Sequence, residues 1–200
     1  VNKSRFEGFS DGVFAFAITV LVLGLALPQV RFSSERALTS ALLALWPNVI
    51  AFVLSFAVIG LMWQNHHALF RLVEHVDRKT VLLNLMLLAG TAFIPFATNT
   101  LGSYPTMRPS TFLYGSTLAF CAIANNVMLA HLVQTRAFYS NINSVAVAQT
   151  VKAYRGALIT YAFATMVALV LPVVSFAGYL AIVAYFLIPR GVDDDISPAA

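Results

Sequence analysis

The sequence predicts an all-α polytopic membrane protein with six transmembrane helices in one domain over residues 1–190. Three observations predict it. Of the 200 residues, 60% are hydrophobic and 10% are charged, where a soluble domain carries about 45–50% apolar and about 25% charged residues. The apolar residues gather in runs close to the roughly 20 that a spanning helix needs. The cations fall between those runs.

The first run covers 12–30, opening at Gly12 and meeting Pro28. The second covers 46–70. The third covers 81–101 and contains Pro95, which is expected to kink or end it. The fourth covers 112–134. The fifth and sixth share one long apolar stretch, and Pro172 with Ser175 offers its only turn signal. The division gives 156–171 and 174–189, each about 24 Å long and slightly short of a bilayer core of about 30 Å. Between the runs lie a polar turn from Arg31 to Arg36, a charge cluster from Glu74 to Lys79, a breaker-rich turn from Gly102 to Pro109, and a longer loop opening at Tyr139. An interfacial helix is expected in that loop, around 145–154. The tail 191–200, with Asp193, Asp194 and Asp195, is expected to be solvated and flexible. A cleaved leader is not expected. Asp11 interrupts the basic-to-apolar join, Pro28 stands where a small-residue cleavage site would be needed, and more apolar runs follow.

Orientation follows from lysine and arginine alone. With six spans, one side receives Lys3, Arg5, Arg71, Arg78, Lys79, Arg136, Lys152, Arg155 and Arg190; the other receives Arg31, Arg36 and Arg108. Nine against three puts both termini in the cytoplasm. The same cations make lipid headgroups, not nucleic acid, the expected partner of a net charge of +4. Cys121 is the single cysteine, so no internal disulfide is possible.

Several residues stand out chemically. Ser10 and Asp11 open the first apolar run, where either would cap a helix. A buried network is the other reading, with Asp11 meeting Arg5 or a histidine from another helix. His66 and His67 close the second run. Neighbouring helical residues point about 100° apart, so the two do not share one ion, and no metal is expected there. A hydrogen bond from one of them to Asp11 or Ser10 is the favoured reading. Asn84 reads as an interhelical bond, and Asn125 and Asn126 require partners inside a span. Phe16, Thr19, Val20, Leu23 and Leu27 share one face of the first helix, which reads as packing or as a pore lining. There is no selectivity-filter loop of the Thr-Val-Gly-Tyr-Gly type, no phosphate-binding loop and no nucleophile elbow, and the spans hold almost no carboxylates. No enzyme is expected.

Arg5 with Phe9, Ser10 and Asp11 resembles the Arg-x-x-x-Phe-Ser-Asp signature of the transmembrane protein 175 family, and the run from Gly12 to Thr19 continues the likeness. Trp63, His66, His67 and Phe70 resemble that family's second helix; Asn84, Pro95 and Phe96 resemble its third. The resemblance implies a potassium-preferring leak channel with six helices per repeat. A single-repeat chain implies a prokaryotic homotetramer with no cofactor beyond the permeant K+. It implies a pore lined by first helices, with Phe16, Thr19, Val20, Leu23 and Leu27 facing the axis. The family's constriction is an isoleucine or leucine five residues after the signature aspartate; here Phe16 occupies that place, while the threonine is retained as Thr19. Arg5, Ser10 and Asp11, with His66 or His67, would form the polar network that holds the pore helix. The alternative is a proton- or cation-coupled transporter with an Asp11–histidine relay.

Overall fold

The computed structural model describes residues 2–27, 30–142 and 144–187. They form seven α-helices: α1 Lys3–Val20, α2 Glu35–Ala44, α3 Trp46–Leu72, α4 Arg78–Ser103, α5 Arg108–Gln134, α6 Ser144–Ala168 and α7 Pro172–Leu187. A 3₁₀ turn, Leu21–Gly24, extends α1. Four of these helices, α1 with its turn, α3, α4 and α5, are long and apolar enough to cross a membrane. α7 is apolar but shorter, at 16 residues.

α1 starts nine residues before Gly12. The Asn2 side chain accepts the Arg5 N–H at 3.1 Å and caps the helix, so Lys3, Arg5 and Glu7 form polar first turns ahead of the apolar run. Ser10 and Asp11 therefore lie inside the helix, and the capping role open to them in the sequence belongs to Asn2. The Ser10 hydroxyl donates back to the Phe6 carbonyl at 3.0 Å. The polar turn after α1 is in part helical. Ser34 caps α2 by accepting the Ala37 N–H at 3.2 Å. α2 buries none of its residues, and Pro47 sits in the first turn of α3 beyond it.

α4 passes through Pro95 and continues to Ser103 rather than ending there. The stretch from 145 to 154, expected as a separate interfacial helix, is continuous with the fifth apolar run, because Gly156 lies inside α6 without breaking it. The tail 191–200 and Pro28 lie outside the described residues.

The helices pack in sequence. α1 rests on α3 and α4, α4 on α5, α5 on α6, and α6 on α7, which reaches back to α3 and α5. α3 and α4 approach closely at Gly102, where an added Cβ would stand 2.7 Å from the Asn48 Cα. Backbone cannot yield as a side-chain tip does. Gly102→Ala is expected to cost about 1–3 kcal/mol, as overpacking does. Thermal unfolding in detergent measures it, and an unchanged midpoint would show that the two helices part freely.

A short clip ties the α3–α4 loop to the segment after α5. Glu74 N–H donates to the Ala137 carbonyl at 2.8 Å, and Tyr139 N–H to the Leu72 carbonyl at 3.1 Å. Lys3 Nζ donates to the Val73 carbonyl at 2.6 Å and stands over the Tyr139 ring, which anchors the base of α1 on this clip.

Asp77 caps α4 beside the clip. Its Oδ1 accepts both the Thr80 hydroxyl and the Thr80 N–H at 2.7 Å, and its Oδ2 lies 2.9 Å from His131 Nε2. The Thr80 hydroxyl, then the Thr80 N–H, with His131 adding to them, hold the Asp77 carboxyl well below the usual carboxylate range. A depressed carboxylate stabilises the fold above its unfolded pKa of about 3.9 and loses that contribution as pH falls below it. The side chain is 46% exposed, so solvent screens the charge and the cap dominates. Asp77→Ala is expected to cost about 1 kcal/mol at pH 7. The gap from the unsubstituted protein should begin to close only below about pH 4 and narrow progressively as pH falls further. Paired melts at pH 7 and at lower pH read this; a constant gap contradicts it.

Candidate pore helix and its polar brace

α1 has two unlike faces. Phe6, Ser10, Phe14, Ala17 and Leu21 are buried against α3 and α4. Phe9, Phe16, Thr19, Val22 and Leu23 are exposed.

The buried face carries a polar brace in apolar surroundings. The Asn84 side-chain amide donates to Ser10 Oγ at 2.9 Å, and its carbonyl oxygen meets His66 Nε2 at 2.9 Å. Ser10 already donates to the Phe6 carbonyl, so it accepts from Asn84. An amide oxygen only accepts, so His66 Nε2 donates. One chain of bonds thus runs from α3 through α4 to α1. The His66 ring is packed among Phe6, Phe14 and Phe70, with centroids 6.2, 5.4 and 4.6 Å away. Ser10, Asn84 and His66 are all buried, and each has a partner, as polar groups in such a site require.

A second contact lies at the edge of this brace. Trp63 Nε1 donates to Asp11 Oδ1 at 2.9 Å, and His67 stacks on the Trp63 indole at 5.9 Å. Asp11 is half-buried, while Trp63 and His67 are exposed. The partner of Asp11 within the chain is therefore Trp63, where the sequence suggested Arg5 or a histidine. His66 reaches Ser10 through Asn84 and not directly. Arg5 is exposed, and among the described residues its guanidinium makes no hydrogen bond or ion pair. Asn84 and Trp63 are the links that the candidate set lacked. Asn84 was visible as a lone amide in an apolar run. Trp63 lies one turn ahead of the histidines, and its indole N–H is a donor in want of an acceptor.

Phe16 is 69% exposed and Leu23 is 73% exposed, whereas Val20 and Leu27 are half-buried. The difference has a geometric cause. Val20 is still α-helical and lies about 40° round from Phe16, towards the buried Ala17, while Leu27 follows the tighter 3₁₀ turn Leu21–Gly24. Thr19 is exposed and donates its hydroxyl proton to the Phe16 carbonyl at 2.8 Å. An apolar groove of 560 Å³ runs beside this face, with Gly8 and Gly12 of α1 and Ala92 and Pro95 of α4 among its walls. Among the described residues, no three histidine, cysteine, aspartate or glutamate side chains gather as a metal site would need.

These features define a helical membrane protein in which one helix is fixed along a buried polar edge and left bare on its opposite face. The chain belongs to the TMEM175 family. The family's model, described as endosomal/lysosomal potassium channel TMEM175, matches residues 5–95. A potassium channel of Chamaesiphon minutus is 41% identical over 133 residues, which is 65% of this chain and 66% of that one. A potassium channel of Streptomyces collinus is 39% identical over 140 residues, 68% of this chain and 67% of that one. The crystal structure of a lysosomal potassium-selective channel TMEM175 homolog from Chamaesiphon minutus superposes with a TM-score of 0.83 at 34% identity, covering 92% of this chain and 95% of that one.

Proposed function

We propose that this protein is a potassium-preferring cation channel of the leak type, assembled as a homotetramer around a pore lined by α1. The observation that carries the reading is the bare face of α1. Large apolar side chains, Phe16 and Leu23 above all, stand free on a helix whose other face is firmly held. A second copy of the chain is the simplest cover for such a face. The relatives named as potassium channels point the same way.

In this assembly Phe16, Val20, Leu23 and Leu27 form apolar layers, and Phe16 and Leu23 reach furthest inward. Such layers gate by shedding water, and side-chain rearrangement readmits it. Thr19 is the polar layer. Its proton is engaged by the Phe16 carbonyl, so the oxygen presents its lone pairs to a passing cation. Ser10 and His66, joined by Asn84, hold each α1 in place. Arg5, Asp11 and His67 sit at the open edge, where a neighbouring copy would complete their contacts. α6 and α7 serve as the fifth and sixth spans, and the excess of lysine and arginine places both termini in the cytoplasm. Membrane lipid surrounds the assembly, and K+ is the permeant species with no resident cofactor. The coupled-transporter reading is the weaker one, because His66 bonds Asn84 and Asp11 bonds Trp63, which leaves no direct Asp11–histidine relay within the chain.

Proteoliposomes loaded with K+ or Na+ test this. Passive flux that favours K+ is expected, and Thr19→Val is expected to reduce the preference several-fold while the protein stays folded. No flux from folded protein in either gradient removes the channel reading. Saturable flux that requires a proton gradient moves it to the transporter.

A further inference from the structure

The outer face of α6 has a composition that the pore does not explain. Lys152, Arg155, Ile159, Phe163 and Met166 follow one another at helical spacing and lie on one side, and all are exposed. α6 packs on α5 and α7 and makes no contact with α1. In an assembly with α1 at the axis, this face therefore looks outward to lipid. Its orientation is fixed from behind. The Tyr154 hydroxyl donates to the Asn65 carbonyl at 3.2 Å, and the Asn126 amide donates to the Tyr154 carbonyl at 3.0 Å. Tyr154 is thereby held inward, while Lys152 and Arg155 on either side of it face out.

Among the described residues, the two cations lack a counter-charge in their part of the bundle. None of α5, α6 or α7 contains a carboxylate. Among the described residues neither Lys152 nor Arg155 forms an ion pair. An anion from outside the chain meets that requirement. Arg155 stands just before the apolar run that opens at Gly156, which places it at headgroup depth. From Arg155 to Met166 the helix rises roughly 16 Å, close to the ~15 Å depth of one leaflet's hydrocarbon. A pair of cations at the surface followed by an apolar strip of one-leaflet length has the dimensions of an anionic phospholipid.

We propose that the outer face of α6 docks one anionic phospholipid, with the phosphate between Lys152 and Arg155 and an acyl chain along Ile159, Phe163 and Met166. The inference rests on the proposed function in taking α6 as a span and α1 as the axis of the assembly. Its test needs no ion gradient, so a protein that fails to conduct leaves the test intact. The full chain is purified from vesicles of mixed phosphatidylglycerol and phosphatidylcholine, and retained lipid is counted by native mass spectrometry. The unsubstituted protein should retain phosphatidylglycerol over phosphatidylcholine. The K152Q/R155Q variant should bind phosphatidylglycerol roughly thirtyfold more weakly, the loss of two interfacial cations. Each single variant should lose roughly fivefold, which keeps the test sharp if the double variant folds poorly. R31Q/R36Q, with the same change in net charge, should retain lipid as the unsubstituted protein does. Equal retention by K152Q/R155Q, or an equal loss in R31Q/R36Q, overturns the proposal.

Discussion

Leu23→Asn is expected to raise passive potassium flux at least about tenfold, since a polar ring that removes about 1.4 kcal/mol of barrier changes a rate by that factor. Leu23 is the most exposed large apolar side chain of α1. In a tetramer, four such side chains would close on one another and exclude water. Four amides would keep the same length while offering hydrogen bonds to water and to a cation's hydration shell. Phe16→Ala is the companion experiment, because Phe16 stands where the family's constriction is expected. If Phe16 is the narrower layer, its truncation should open the pore more than Leu23→Asn does. If Leu23 is narrower, the order reverses. Unaltered flux in both variants, with assembly intact, would mean that α1 does not line the path.

His66→Ala is expected to destabilise the protein by about 3–5 kcal/mol, the range for removing a buried aromatic ring. Two losses combine. The space among Phe6, Phe14 and Phe70 is left unfilled, and the Asn84 oxygen is left without its donor. Asn84→Leu should cost about 1–3 kcal/mol, because it orphans the His66 N–H while keeping the volume. A double-mutant cycle between the two positions should show coupling of about 0.5–1.5 kcal/mol. Thermal unfolding in detergent reads all three variants. Additive effects would mean that the His66–Asn84 bond contributes nothing to holding α1.

Much of the helical layout was legible, and for one reason. Apolar runs at 46–70, 81–101 and 112–134 lie inside α3, α4 and α5, because lipid imposes a length on buried hydrophobic segments. What lay outside the lipid carried no such mark. The first turns of α1 are polar, so their helicity depends on the Asn2 cap, and α2 depends on Ser34. Ser10 shows the same limit at the site. A serine before an apolar run looks like a cap, and only the location of the true helix start turns it into a buried acceptor. Leu27 was grouped with Phe16 and Leu23 on an assumed α-helical period, which the 3₁₀ turn before it does not keep, and Val20 sits at the buried edge of the same face. His66 was legible as a polar residue in need of a partner, while its link through Asn84 depends on how α3 and α4 cross, which spacing along one helix cannot encode.

The direction of donation along the brace has a consequence for acidification. His66 gives the proton on Nε2 to Asn84, and it does so whether the ring carries one proton or two. Every link beyond it, Asn84 to Ser10 and Ser10 to the Phe6 carbonyl, is made by groups that do not titrate. The inventory of hydrogen bonds fastening α1 is therefore the same for imidazole and imidazolium. Protonating the His66 ring therefore removes no bond from the helix proposed to line the pore, and the Asp77 cap, its carboxyl held well below the usual carboxylate range, stays ionised under the same mild acid.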